Sequence, residues 1–358
     1  MYLGSNVISI IFAERYREVP LKNIPSNYIY VRAKLFLELL KSLNLIDKVK
    51  LVEPRRATYE ELNLFHSKSY INKVKSHYHG RFNNFLDVIG GAITACDAVI
   101  NHKTKIAWDL GLSDHHAERG DFGVVFPFNC AGTAIEYLIR EKNVKKIALI
   151  NIEAHHAGVL MKSFINYNNV VILDIHSETM HSWRFGIMKP RLNLKSLSKS
   201  VRRTKIELEL MPATGDDVFI IAIRNLLTTI KQIHNPEVVV LQLGSDLHMS
   251  DPMSATNITS KSYRTLGNII TDLFNKVIVL SAGGFDYIAM IRAWIAFLEG
   301  LLGIKPIQIT PPKFREFFMS LVGAEFPTEL HLNPTKDSSR DIEHINSLLE
   351  NIIYEVKA

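Results

Sequence analysis

The sequence predicts an α/β fold with central parallel strands, and three observations carry that prediction. Short apolar runs at Ile147 to Ile150, Val170 to Leu173, Val238 to Leu243 and Val277 to Leu280 are rich in β-branched residues and too short for buried helices. Longer amphipathic stretches separate most of them, so strand and helix alternate as a parallel sheet requires. Three of the runs end in polar residues and glycines: Asn151-Ile-Glu153-Ala-His155-His156, Gly244-Ser245-Asp246 and Ser281-Ala-Gly-Gly-Phe285. The carboxyl ends of strands are where open α/β sheets collect their ligands.

In chain order, the apolar residues Val7 to Ala13 lack a basic leader and meet Glu14 and Arg15 at once, which reads as a first strand and not as a signal peptide. Thr58-Tyr-Glu-Glu61 offers a capping box at the start of a helix. The apolar stretch Ile106 to Trp108 precedes Asp114-His115-His116. Helices are expected from about Asn129, from Asp216-Asp217, whose charges suit a helix N-terminus, and from Ser260 and Asp286. A last one spans roughly Arg340 to Val356. No linker, repeat or composition break divides the chain, so residues 1–358 read as one domain.

Of the 358 residues 47% are hydrophobic and 22% charged, which excludes a disordered chain. The net charge of +6 is scattered over short pairs such as Arg55-Arg56, Lys145-Lys146 and Arg202-Arg203, a solvated surface and not a nucleic-acid footprint. Cys96 and Cys130 cannot build a disulfide framework or a cysteine zinc site, which suits a reducing compartment. No run approaches the ~18 apolar residues that span a bilayer. A soluble, cytoplasmic protein without membrane or direct nucleic-acid contacts is expected.

Glu153 and His155 are two apart, so in an extended segment both side chains point to one face and can share a metal. Asp246 offers a third ligand and leaves a fourth position for water, the pattern of catalytic zinc. On spacing alone such a pair is more often ordinary polar surface. The adjacent His115 and His116 are either hydrogen-bonded structural residues or, beside a metal, a general base and acid.

Taken together, the segments resemble the histone deacetylase family and its acetylpolyamine and acetoin-utilisation relatives. The matching pieces, in the family's order, begin with Ala57-Thr-Tyr-Glu-Glu-Leu-Asn-Leu-Phe-His-Ser67 with Tyr70-Ile71, His115-His116-Ala117 and Phe128-Asn129. They continue with Glu153-Ala-His-His156, Gly244-Ser-Asp246, Asp251-Pro-Met253, Asn257-Ile-Thr259 and Gly283-Gly284, and the likeness runs from about residue 10 to 305. It implies a three-layer α/β/α fold on a mostly parallel sheet of about eight strands, the arginase–deacetylase fold. A narrow channel would lead to one Zn2+ per chain. By motif, Glu153, His155 and Asp246 would hold the metal, His115 and His116 would form the catalytic pair with His116 as base, and Val125, Met253, Gly284 and Phe285 would line the substrate. The implied partner is an acylated amine or acyl-lysine; a protein partner and the oligomeric state are left open.

The chain departs from that pattern where it matters. Glu153 stands for an aspartate, Phe285 for the tyrosine that donates to the oxyanion, and Asn151 and Gly158 for the carboxylates that orient the histidine pair. Asp174 replaces a small hydroxyl residue, and Cys130 stands where an aspartate is common. Tyr287 and His248 are candidate replacement donors, and Trp183, Arg184 and Phe185 are candidates for a substrate rim or for plain surface packing. Three functions compete: a zinc-dependent deacylase, a catalytically degenerate protein that binds an acylated ligand or a partner, and a hydrolase of another bond that needs no tyrosine.

Overall fold

The computed structural model describes residues 8–177 and 205–357. Its strands are β1 (Ile8–Ile11), β2 (Lys50–Val52), β3 (Ile106–Asp109), β4 (Ile147–Ile152), β5 (Val170–Ser177), β6 (Lys205–Leu210), β7 (Val238–Leu243) and β8 (Val277–Ser281). They form one eight-stranded sheet in the order β2-β1-β3-β8-β7-β4-β5-β6. Every pairing is parallel. The described helices are α1 (Tyr28–Ser42), α2 (Tyr59–Asn63), α3 (Lys68–Tyr78), α4 (Phe82–Ile100), α5 (Cys130–Arg140) and α6 (Gly158–Ser163). They continue with α7 (Asp216–Ile233), α8 (Ser260–Leu273), α9 (Tyr287–Leu302), α10 (Pro312–Val322) and α11 (Ser339–Lys357).

Successive strand residues face opposite sides, so an apolar run is buried twice. Ala148, Ile150 and Ile152 of β4 enter a core with α1, α7, α8 and α9. Ile147 and Leu149 enter another with α4 and α5. The result is the three-layer α/β/α stack expected from the resemblance. Among the described residues no helix is long and apolar enough to cross a membrane. The predicted capping box forms between Thr58 and Glu61, and the helices expected from about Asn129 and Asp286 start there, with Asn129 accepting from Gly132 N at 2.8 Å and Asp286 from Ala289 N at 2.7 Å. Trp183, Arg184 and Phe185 lie outside the described residues.

Topology places the site. The chain runs outward through β4, β5 and β6, then returns to lay β7 and β8 in the middle of the sheet. The four consecutive neighbours β3, β8, β7 and β4 therefore end side by side, and the loops leaving them carry His115, Gly283, Asp246 and Glu153. A reversal of strand order opens a crevice of the kind where α/β ligands bind.

At the end of β3, Asp109 is buried with its Oδ1 3.3 Å from Tyr16 Oη and 3.1 Å from Gly111 N. Burial pushes its carboxyl from 3.8 up to about 7. The folded state thus binds a proton more tightly than the unfolded chain, a stabilisation complete below pH ~4 and lost as pH rises through ~7. At ~1.4 kcal/mol per unit the loss is on the order of 4 kcal/mol. Asp109→Asn mimics the protonated carboxyl, so its thermal midpoint should exceed that of the parent at pH 8 and the gap should close at pH 4. A gap that is equal at both pH values would refute the assignment.

Candidate metal centre

Glu153, His155 and Asp246 each offer one ligand atom, all within 4.8 Å of one another. The His155 Nδ1 lies 3.6 Å from Glu153 Oε1 and 3.6 Å from Asp246 Oδ2. Tetrahedral zinc with bonds of 2.0–2.1 Å spaces its ligands about 3.3 Å apart, so the trio is nearly at coordination distance. Buried His155 Nδ1 and Asp246 Oδ2 have no hydrogen-bond partner, whereas Asp246 Oδ1 accepts from Ala154 N at 3.1 Å. One oxygen fixes the carboxylate and the other is left for a ligand. Across the pocket, a side chain at Gly283 would overlap Asp246 Oδ2 and come within 2.5 Å of Glu153 Oε1. Close approach, and not turn geometry, requires that glycine.

The charges favour a cation. Burial, and then the charge of Glu153, raise Asp246 to about 6. For His155 burial opposes protonation, but Asp246 and Glu153 outweigh it and raise the imidazole to about 10. Burial also works against ionised Glu153, yet His115 and then His155 hold its carboxyl well below the usual range. A divalent ion would displace the proton from His155 and neutralise both carboxylates. The donor set of one imidazole and two carboxylates fits zinc-class ions.

Glu153 also does something an aspartate at its position could not reach: its Oε2 comes within 2.7 Å of His115 Nδ1, although without hydrogen-bond alignment. The amide nitrogen of Gln242 lies 2.6 Å from the same Nδ1. A single ring nitrogen either accepts from that amide or carries a proton toward Glu153, so the two contacts exclude each other. Burial disfavours charge on His115, but Glu153 prevails and raises it. Asn151 turns away, donating to Asp174 Oδ1 at 2.8 Å. Asp174 in turn meets His156 Nδ1 at 2.6 Å, so it replaces neither orienting carboxylate directly.

The His116 ring lies 4.2 Å from that of His115, tilted by 54°, and stands 5.5 Å from that of His155. Burial, followed by the charge of His115, lowers it to about 4. No described side chain hydrogen-bonds its ring, consistent with glycine at position 158. Asp114 sets the loop: its Oδ1 accepts from His116 N at 2.9 Å, and its Oδ2 from Val125 N at 2.8 Å and Phe126 N at 2.9 Å. Val125 is thereby tied to the histidine pair.

Asp251 does the same for the other wall. It accepts from Met253 N at 2.9 Å, Phe285 N at 2.7 Å and Asp286 N at 3.1 Å. Gly284, with φ +135°, makes the turn, and the Tyr28 hydroxyl donates to its carbonyl. Phe285 is 38% exposed, and its ring stacks 6.4 Å from that of Tyr28. Of the candidate replacement donors, His248 is fully buried with a lowered pKa of about 3 caused by burial, and the Tyr287 ring lies 5.9 Å from that of Tyr28, tilted by 35°. The roles of Asp114, Gln242, Asp251 and Tyr28 are not apparent from the sequence. An acidic residue just ahead of each loop was the one available signal, and it covers only Asp114 and Asp251.

Fold and pocket together define an α/β protein with a histidine–carboxylate cradle at the carboxyl edge of its sheet. The chain belongs to the histone deacetylase domain family, whose model matches residues 29–301. It is similar to the acetoin utilization protein AcuC of Bacillus subtilis (strain 168), 27% identical over 312 residues, covering 79% of this chain and 79% of that protein. The AcuC proteins of Staphylococcus aureus (strain MRSA252) and Staphylococcus xylosus are each 25% identical, covering 78% and 77% of this chain and 77% and 78% of their own lengths. The family makes a deacetylase-type hydrolase the coarse functional class.

Proposed function

We propose that the protein is a zinc-dependent amide hydrolase that removes an acyl group from an acyl-lysine, an acyl-polyamine or a similar acylated amine. The convergence of His155 Nδ1 on the Glu153 and Asp246 carboxylates, beside the His116 ring, carries this reading. Zinc held by Glu153, His155 and Asp246 would polarise the amide carbonyl and make water a better nucleophile. His116, neutral and unpaired, accepts the proton of the attacking water and returns it to the leaving amine. His115, with Nδ1 against the Gln242 amide and its buried Nε2 without a hydrogen-bond partner, donates from Nε2 to the developing oxyanion. Val125 and Met253, tied by Asp114 and Asp251, flank the acyl chain, and Gly284 and Phe285 close the wall beside it.

A second reading, a degenerate relative that binds an acylated ligand or a protein partner, is favoured by the phenyl ring of Phe285, which has no donor, and by the missing carboxylate at His116. Metal content of the purified chain, paired with a fluorogenic panel of acyl-lysine and acyl-polyamine substrates, separates the two. One equivalent of zinc in the pocket with chelator-sensitive turnover supports the hydrolase. Absence of turnover in the metal-loaded protein favours binding.

The pocket also fixes a pH dependence. With His155 near 10 and Asp246 near 6 in the metal-free chain, uptake of an ion releases a proton above pH 6 and more below it. Zinc affinity should therefore rise about tenfold per pH unit from pH 6 to 8 and more steeply from 5 to 6. Competition against a chelator of known affinity measures the slope. A flat profile would mean that His155 is not a ligand.

A further inference from the structure

A second group of ligating side chains lies past the end of β4 and on β5, outside the pocket just described. His156, Asp174 and His176 each offer one atom within 4.8 Å of the others. Asp174 and His176 are two apart on β5 and therefore share a face. Glu207 of β6 pairs in register with Asp174, and Glu209 with His176, so both glutamates project from that same face. The opposite face of β6, with Ile206, Leu208 and Leu210, is packed in the core. The apolar alternation thus ends on this side of the sheet in an array of imidazoles and carboxylates.

The geometry converges on Asp174. Its Oδ2 is 2.6 Å from His156 Nδ1 and 3.5 Å from His176 Nδ1. Glu207 Oε1 is 3.5 Å from His156 Nδ1 and 3.8 Å from His176 Nε2. The two rings are 5.0 Å apart. His176 is only 6% exposed, and its Nδ1, facing Asp174, has no hydrogen-bond partner. A buried ring nitrogen left unpaired beside a buried carboxylate is a costly arrangement unless something occupies the space between them.

We infer that His156, Asp174 and His176, with Glu207 at the rim, form a second binding site for a divalent zinc-class cation. Two imidazoles with one or two carboxylates suit Zn2+ and its first-row neighbours, and do not suit Mg2+ or Ca2+, which take oxygen ligands. Asp174 is pre-oriented for the role, since Asn151 Nδ2 donates to its Oδ1 at 2.8 Å and Ala157 N to its Oδ2 at 3.0 Å. The 2.6 Å contact is tighter than the ~3.3 Å spacing of ligands around zinc. Half-exposed His156 would therefore swing outward by less than an ångström to admit the ion. Both ends of the site are anchored, one in the sheet and one in the loop that also carries His155, so the ion would pin that loop to the strand beyond it.

The test is a count of zinc per chain after chelation, reloading and desalting, made on the full chain and on His156→Ala and Asp246→Asn, with zinc-edge anomalous diffraction to place each ion. The full chain should hold two equivalents. His156→Ala should lose the ion at Asp174, and Asp246→Asn should keep it while losing the other. A single equivalent located between Glu153, His155 and Asp246, or two equivalents still present in His156→Ala, would overturn the inference and leave His156 and Asp174 as an ordinary ion pair. A single equivalent located at Asp174 would support this site and instead sink the zinc-hydrolase reading of the central pocket.

Discussion

Asp246→Asn is expected to lower zinc affinity by more than ~10²-fold and to take amide hydrolysis down with it. Changes merely behind a metal's ligands already cost 10–100-fold, and this one removes a ligand charge. The isostere keeps the rest of the arrangement, because an amide oxygen can still accept from Ala154 N as Asp246 Oδ1 does. It also relieves a buried carboxylate that burial and Glu153 have raised to about 6. The metal-free variant should therefore melt no lower than the metal-free parent at pH 7 to 8. That opposite sign separates loss of the ion from loss of the fold. A variant that retains both zinc and turnover would remove Asp246 from the centre.

Phe285→Tyr carries the next largest expectation, a rise in turnover of about 10²–10³-fold, the worth of one oxyanion donor. The backbone there is held by Asp251, through Phe285 N at 2.7 Å and Asp286 N at 3.1 Å, so the new side chain starts from a fixed Cα. With 38% of the residue exposed, the hydroxyl needs no cavity of its own. The gain should appear in kcat, with KM little changed, since the bond forms only as the oxyanion develops. Turnover that stays at background in the zinc-loaded variant would show that the histidine pair, lacking its carboxylate at position 158, is the deeper defect, and would favour the binding reading.

The parts of this architecture that could be read from sequence are those where one interaction dominates. The runs that became β4, β7 and β8 are buried on both faces, and no competing pattern accounts for so many β-branched residues in so short a span. Edge strands gave no such signal: β2 has three residues, and β6 alternates Lys-Ile-Glu-Leu-Glu-Leu, with Ile206, Leu208 and Leu210 on the face packed in the core. The helix α4, apolar nearly all round, lacks the stripe that marks an amphipathic helix, and its Gly90 lies against the Arg55 carbonyl, a contact visible only in three dimensions. In the pocket, residues at strand ends were legible from position and type. Their partners were not, because Gln242 reaches His115 across 127 residues and Gly283 is needed for a neighbour it meets only in the folded state. The longer reach of Glu153 toward His115 is likewise a property of the packed pocket.

The placement of β8 between β3 and β7 also sets the order of assembly. Ser281 Oγ bonds to Asp109 O across 172 residues, and Trp108 pairs with Val279 in the ladder. The wall that holds Gly283 is thus the last part of the sheet to leave a ribosome, yet it must insert between β7, made shortly before it, and β3, made long before. Contacts so distant along the chain make for slow closure, with the middle of the sheet open in the interim. Until that insertion, His155 and Asp246 face each other without the glycine-lined wall. Capture of an ion by Glu153, His155 and Asp246 would therefore wait for β8, and a nascent chain stalled before residue 277 should hold zinc at that trio no better than an unfolded one.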